Sequence, residues 1–147
     1  MNDNIGTMLG QVSRLLRRRF DERARGIGVT RPQWQVLTLL KRNEGINQGG
    51  LAELLEVEPI TLGRMVDRLQ DADLVVRRAD PNDRRAWRLH VTERGEELIE
   101  QLRPFARETF AVALEGIDEA EQQQLMAILD RMRANMSRRQ SVETVHG

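Results

Sequence analysis

Arginine is the residue type with the clearest chemistry in this chain of 147 residues, which has one lysine, Lys41, and no cysteine. The planar guanidinium forms bidentate contacts with phosphate and with the O6 and N7 atoms of guanine. Arg64 stands in a predicted helix beside threonine, glycine and isoleucine, and Arg84 and Arg85 follow the turn-forming residues 80–83. This placement favours a polyanionic partner, although a GC-rich genome also enriches a protein in arginine.

The net charge is zero, but the charge is unevenly distributed. Residues 60–91 carry seven arginines and five acidic residues, a net charge of +2, whereas residues 92–147 carry a net charge of −4. The positive field is therefore local, and the acidic C-terminal third is expected to face away from any polyanion. A protein-interaction module without DNA binding would also fit zero net charge, and it stays open as an alternative.

The composition, 39% hydrophobic and 31% charged residues, is typical of a soluble protein, and the length suits one domain. No run approaches the roughly 18 apolar residues of a membrane span. The N-terminus lacks a secretory signal and cysteine is absent, so we expect a cytoplasmic protein. His90 and His146 are too far apart for a credible metal site. No phosphate loop, nucleophile elbow or cysteine nucleophile is present, so neither enzymatic activity nor a cofactor is expected.

Apolar spacing and capping residues predict the elements that position the arginines. Residues 5–20 predict a first helix. A second helix begins after Thr30, with Gln33 completing a capping box, and a third follows Asn47 as its N-cap. Pro59 starts a fourth helix. Its predicted buried stripe consists of Leu62, Met65, Val66 and Leu69.

The opposite face of the fourth helix is predicted to enter a DNA major groove, because it exposes isoleucine, threonine and glycine beside arginines. Arg64 is the first candidate for a base contact, worth about 1–3 kcal/mol of discrimination. The alternative is a surface arginine paired with Asp67 or Asp71. The predicted DNA contacts of this helix are Pro59, Thr61, Arg64 and Arg68.

Residues 74–78 and 87–91 are short β-type runs that predict a hairpin. A narrow minor groove attracts an inserted arginine, which favours Arg84 and Arg85 at the hairpin tip as DNA contacts. Asp83 is acidic and should not face phosphates, so we expect it to orient the guanidinium of Arg85. A plain turn with solvated charges is the alternative.

Helix, turn, helix and hairpin in this order predict a winged helix-turn-helix. A long helix follows Thr92, and Pro104 is expected to kink or interrupt it. Asp118 begins a last helix. The predicted fold class is therefore mainly α with a small β-hairpin wing.

Four segments resemble the MarR family of bacterial transcription regulators, and within it the SlyA-like members. They are residues 51–55 (LAELL), 61–69 (TLGRMVDRL), 80–85 (DPNDRR) and 89–95 (LHVTERG). The resemblance implies one MarR-type domain over residues 1–147 and a homodimer that binds double-stranded DNA at a palindromic operator. It assigns residues 30–92 to the DNA-binding lobe, and residues 3–26 with 93–138 to the dimerisation helices.

Many members of that family are displaced from DNA by a small aromatic acid, and this resemblance implies a ligand-responsive repressor. Phe20 and Trp34 are the candidates for lining an effector pocket, with burial in the core as the alternative. A SlyA-like activator that displaces a silencing protein also stays open. The lack of cysteine excludes the peroxide-sensing branch. Gly63 stands where a polar residue is common, which leaves the base preference there open.

Overall fold

The computed structural model describes the backbone of residues 4–146 and the side chains of residues 4–137. Over these residues it contains six helices and one antiparallel hairpin. The helices are α1 (Ile5–Gly26), α2 (Arg31–Arg42), α3 (Gln48–Leu55), α4 (Pro59–Asp71), α5 (Glu93–Ala113) and α6 (Glu119–His146), and the strands are β1 (Val75–Asp80) and β2 (Asp83–Val91). The prediction of a mainly α winged helix-turn-helix is confirmed. Asp3, where the predicted range 3–26 begins, lies outside the described residues.

Two predicted helix starts are confirmed by their capping contacts. The Thr30 hydroxyl accepts a hydrogen bond from the Gln33 amide at 3.4 Å, and the Gln33 side chain accepts one from the Thr30 amide at 2.9 Å. Asn47 Oδ1 accepts a hydrogen bond from the Gly50 amide at 2.7 Å. Pro59 begins α4 without a side-chain cap from Glu58. Packing, rather than a cap, therefore fixes the start of this helix.

The chain divides after Thr109 into two compact units. In the first unit, the main core lies among α2, α3, α4 and the hairpin. Its fully buried large side chains include Leu37, Leu40, Leu51, Leu62, Val66, Leu69 and Leu89. The predicted stripe of α4 is thus buried at three positions, and Met65 is half-buried. A smaller cluster joins α1, α2 and α5 through Phe20, Trp34 and Leu102.

The loop before α3 pairs with β2 through an isolated bridge outside the two strands, and this pairing was not predicted from the sequence. The Gly45 amide donates to the Leu89 carbonyl at 2.9 Å, and the Leu89 amide donates to the Ile46 carbonyl at 3.0 Å. Asn47 forms a bridge with Arg88. Because Asn47 also caps α3, this pairing fixes the start of α3 against β2.

Pro104 was expected to kink or interrupt the long helix, and α5 continues through it from Glu93 to Ala113, so the helix is not interrupted there. Proline removes one amide donor, and the carbonyl left without a partner is that of Glu100. Both residues are exposed, so water can satisfy this carbonyl. Within the described residues, no helix has the length and apolar character to cross a membrane.

Candidate nucleic-acid interface

The second helix of the helix-turn-helix, α4, turns its predicted DNA-contacting residues outward. Pro59, Thr61, Arg64 and Arg68 are all exposed, opposite the buried stripe. Asp67, one of the two carboxylates that could have paired with Arg64, instead lies 2.6 Å from Nη1 of Arg77. The structure thus leaves the exposed face of α4 with two outward arginines.

Arg77 holds the hairpin to both helices of the helix-turn-helix, and sequence analysis missed it. Its side chain is only 18% exposed. Nε donates to Gln48 Oε1 at 3.2 Å, Nη1 to Asp67 Oδ1 at 2.6 Å, and Nη2 to the Gly63 carbonyl at 3.1 Å. One guanidinium therefore links α3, α4 and β1. A signal was present in the sequence, because Arg77 follows the buried Val75 by two residues and so shares its inward face.

Gly63 lies where α3 crosses α4. A Cβ atom at this position would lie 3.3 Å from Nε2 of Gln48, which covers the backbone there. Gly63 is half-buried for this reason, so its placement on the freely exposed face of α4 was wrong. The missing side chain serves helix–helix contact, since a larger residue would have to displace Gln48.

The tip of the hairpin is irregular in a way that displays its arginines. The strands pair regularly from Val75 with Val91 to Ala79 with Trp87, and then the register shifts. The next pair is Asp80 with Asp83, so residues 84–86 have no partner on β1. Such a bulge re-aims side chains, and Arg84 and Arg85, both exposed, stand on it.

The carboxylate of Asp83 shapes the backbone of this bulge. Its Oδ1 accepts a hydrogen bond from the Arg85 amide at 3.0 Å. The prediction that Asp83 orients the Arg85 guanidinium was therefore wrong, because its carboxylate contacts the backbone amide of Arg85 instead.

Asp80 is the carboxylate that orients an arginine side chain at the hairpin. Its Oδ2 accepts a hydrogen bond from Arg88 Nε at 3.1 Å, and its Oδ1 accepts one from the Asn82 amide at 2.8 Å. The Asn82 amide first, and then Arg88, hold the pKa of Asp80 below its usual value. The ionised carboxylate of Asp80 thus stabilises the turn of the hairpin.

Phe20 and Trp34 meet edge to face, with ring centroids 4.7 Å apart, within the smaller core cluster. Trp34 Nε1 donates to Asp21 Oδ1 at 2.7 Å, and Arg31 Nε donates to Asp21 Oδ2 at 2.5 Å. The hydrogen bond with Asp21 raises the pKa of Arg31. A buried carboxylate therefore connects the aromatic pair to a surface arginine.

An open groove of about 810 Å³ lies beside this chain of contacts. Its lining residues are Gln11, Arg14, Leu15, Arg17, Arg18 and Arg31. Phe20 and Trp34 are not among them. Four guanidiniums on a partly apolar floor suit an anion with a hydrophobic part. Among the described residues, no three His, Cys, Asp or Glu side chains come together as metal ligands would.

An outward arginine-bearing helix beside an arginine-tipped hairpin defines a winged-helix transcription regulator of the DNA-binding class. The sequence profile described as "MarR family" matches residues 29–87. The chain belongs to the MarR family, whose members are transcription regulators rather than enzymes, bind DNA and form dimers.

Solved structures agree with this assignment over nearly the whole chain. Transcriptional regulator PA3341 is 35% identical with a TM-score of 0.81, and the match covers 92% of this chain and 99% of that one. The transcriptional regulator SlyA is 30% identical with a TM-score of 0.78, covering 92% and 95%. A MarR transcriptional regulator from Methanosarcina mazei Go1 is 26% identical with a TM-score of 0.81, covering 91% and 96%.

Proposed function

We propose that the protein is a dimeric, ligand-responsive repressor that binds a palindromic operator in the cytoplasm. One observation carries the proposal: Arg77 ties the outward face of α4 to the arginine-bearing hairpin, so both present to DNA together. Each α4 enters a major groove and each wing reaches the flanking minor groove. The half-sites lie about one helical turn, or roughly 34 Å, apart.

The exposed residues take different roles in this complex. Arg64 pairs with a guanine edge, Thr61 and Pro59 contact neighbouring bases through a hydroxyl and a methylene surface, and Arg68 contacts phosphate. At the wing, Arg84 and Arg85 reach the minor groove from the bulge that Asp83 shapes. Base pairs are thus discriminated by α4, and the wing adds affinity.

Exposed apolar faces support the homodimer. In the first unit, α1 exposes Ile5, Met8, Leu9, Val12 and Leu15 at 40–70% of their surface. In the second unit, α6 exposes Leu125, Met126, Ile128, Met132 and Met136 at 36–67%. Apolar stripes of this length are typical of association surfaces. We therefore assign residues 3–26 and 93–138 to dimerisation and residues 30–92 to DNA binding.

The effector is a small aromatic acid held by the groove between α1 and the start of α2. Its carboxylate competes with Asp21 for Arg31, and a change at Asp21 reaches Trp34 and Phe20 by direct contact. The cluster around this aromatic pair includes Leu102 of α5, so the effector acts where the lobe joins a dimerisation helix. In the dimer, the effector favours a spacing of the two α4 helices that does not fit the operator. It does so only through its higher affinity for the protein with that spacing.

Salt dependence of DNA binding tests the proposal. Fragments of the source genome that bind the purified protein are selected. Their binding is then measured by gel shift at about 50 mM and about 200 mM salt. A regulator that neutralises several phosphates weakens steeply between these two conditions. A winged helix that only binds proteins would barely retard DNA, and a monomer by light scattering would contradict the dimer.

Arg85→Ala tests the wing separately. The variant should bind the selected operator more weakly. The slope of log K against log salt concentration (the salt slope) should also be reduced by about one, because one positive charge near the phosphates is lost. Light scattering should show an intact dimer. Unchanged affinity would remove the wing from the mechanism.

The sign of regulation depends on where the operator lies relative to the promoter. A reporter carrying the selected operator with its native promoter should be repressed by the protein and released by the effector. Increased transcription would instead indicate a SlyA-like activator.

A further inference from the structure

We propose that Trp87 is an additional DNA contact, whose indole packs on the sugar–phosphate strand that separates the groove of α4 from the groove of the wing tip. This inference rests on the proposed DNA binding. It adds an aromatic contact to the proposed contacts of the arginines, Thr61 and Pro59.

The hairpin register places Trp87 on the side of the wing that faces the helices. Alternate residues of a strand share a face, so Trp87 lies on the same face as Leu89, which is buried in the core. Across the hairpin, Leu89 pairs with Arg77, and Arg77 contacts α4. The pair of Trp87 with Ala79 is two pairs nearer the tip, and Trp87 therefore lies between α4 and the bulge.

The indole is left uncovered at this place. Trp87 is 48% exposed, and its cross-strand partner is the small residue Ala79. Tryptophan buries a large area when it binds, and its ring N–H is a hydrogen-bond donor. One side chain can therefore cover a deoxyribose and donate to a phosphate oxygen.

The surrounding charge favours DNA as the occupant. Arg84 and Arg85 stand two to three residues before Trp87 on the bulge, and both are exposed. Coulombic attraction brings the phosphates to this part of the wing, and the resulting close approach desolvates the ring. A second copy of this chain would have to bring acidic residues to the same place.

Trp87→Ala is the test, measured by anisotropy of labelled duplexes at several salt concentrations. We expect affinity to fall about tenfold, within the range for losing an aromatic stacking contact. The fall should be equal on operator and unrelated duplexes, since sugar and phosphate carry no sequence. The salt slope should stay at the wild-type value, unlike that of Arg85→Ala, because the indole displaces no counterion.

Two further variants control for folding. Trp87→Phe keeps a ring on the strand and should recover most of the affinity. Leu54→Ala removes a similarly exposed side chain, 51% exposed on α3, and should bind as the wild type does. Quenching of tryptophan fluorescence by DNA should be seen in the wild type and lost in Trp87→Phe, which reports contact independently of stability.

The outcomes separate this inference from the proposed function. One outcome is that the wild type binds DNA and Arg85→Ala binds it more weakly, as proposed. If Trp87→Ala then binds within twofold of the wild type, the Trp87 contact is wrong and the proposed function stands. Dissociation of the Trp87→Ala dimer would place the indole in a protein interface instead. A wild type that binds no duplex overturns both.

Discussion

Replacing Arg77 by methionine tests whether one guanidinium holds the wing to the helix-turn-helix. Methionine keeps an unbranched apolar stem and removes all three hydrogen bonds. The bonds to the Gly63 carbonyl and Gln48 join half-buried groups and contribute about 1 kcal/mol each. Asp67 is 62% exposed, so its ion pair adds a fraction of 1 kcal/mol. Because these contributions overlap, we expect Arg77→Met to lower the free energy of unfolding by about 2 kcal/mol.

The neighbouring arginine supplies a matched control. Arg78 is exposed and points to the opposite face of β1, so Arg78→Met should change stability by less than about 0.5 kcal/mol. Urea unfolding followed by circular dichroism measures both variants, at one protein concentration because a dimer's stability depends on it. Equal stability of the two variants would refute the role assigned to Arg77.

Arg77→Met should also affect DNA binding. Without this link, α4 and the wing are no longer held in a fixed arrangement that matches the operator. Affinity for the operator should therefore fall more than affinity for an unrelated duplex. An equal fall on both would show that Arg77 contributes only general stability.

Three other variants test separate parts of the structure. Gly95→Ala should lower the free energy of unfolding by about 3 kcal/mol or more in a urea titration, because a Cβ would lie 2.3 Å from the Leu74 carbonyl oxygen. Gly26→Ala is the control: a Cβ there has no atom within 4 Å, so this variant should be neutral or slightly stabilising. Similar losses in both variants would contradict the close contact at Gly95. Asp80 has a pKa below its ordinary value of 3.8, so its ionised form stabilises the fold above that pH, and this contribution is lost as the pH falls through the lower folded pKa. The stability difference between wild type and Asp80→Asn should therefore be constant near neutrality and narrow below pH 3.8, and a pH-independent difference would exclude the carboxylate's charge as its cause. Arg64→Ala should relax preference at one base pair per half-site by about 1–3 kcal/mol in a competition assay, and uniform weakening on all sequences would mean that it contacts only phosphate.

The features predicted from sequence depend on residues close together in the chain. The caps at Thr30 and Asn47 each involve a partner three residues away, and the buried stripe of α4 follows from helical spacing alone. Local geometry determines such features, so periodicity and residue type were enough. The outward position of Arg64 follows from the same stripe.

The features that sequence analysis missed depend on distant segments. Arg77 contacts Gln48, which lies 29 residues earlier in the chain, and the loop at residues 45–47 pairs with a segment more than forty residues later. Gly63 is covered only because α3 crosses α4 there. The bulge at residues 84–86 depends on how two strands match in length. None of these follows from spacing within one element.

The crossing of Gln48 over Gly63 constrains how this regulator can acquire a new target site. A side chain introduced at residue 63 to read another base would meet the glutamine amide at 3.3 Å. Shortening Gln48 to make room would remove an acceptor of Arg77. A side chain at residue 63 is therefore expected to disturb the contact of Gln48 with Arg77, and single changes are expected to accumulate at residues 61, 64 and 68 instead.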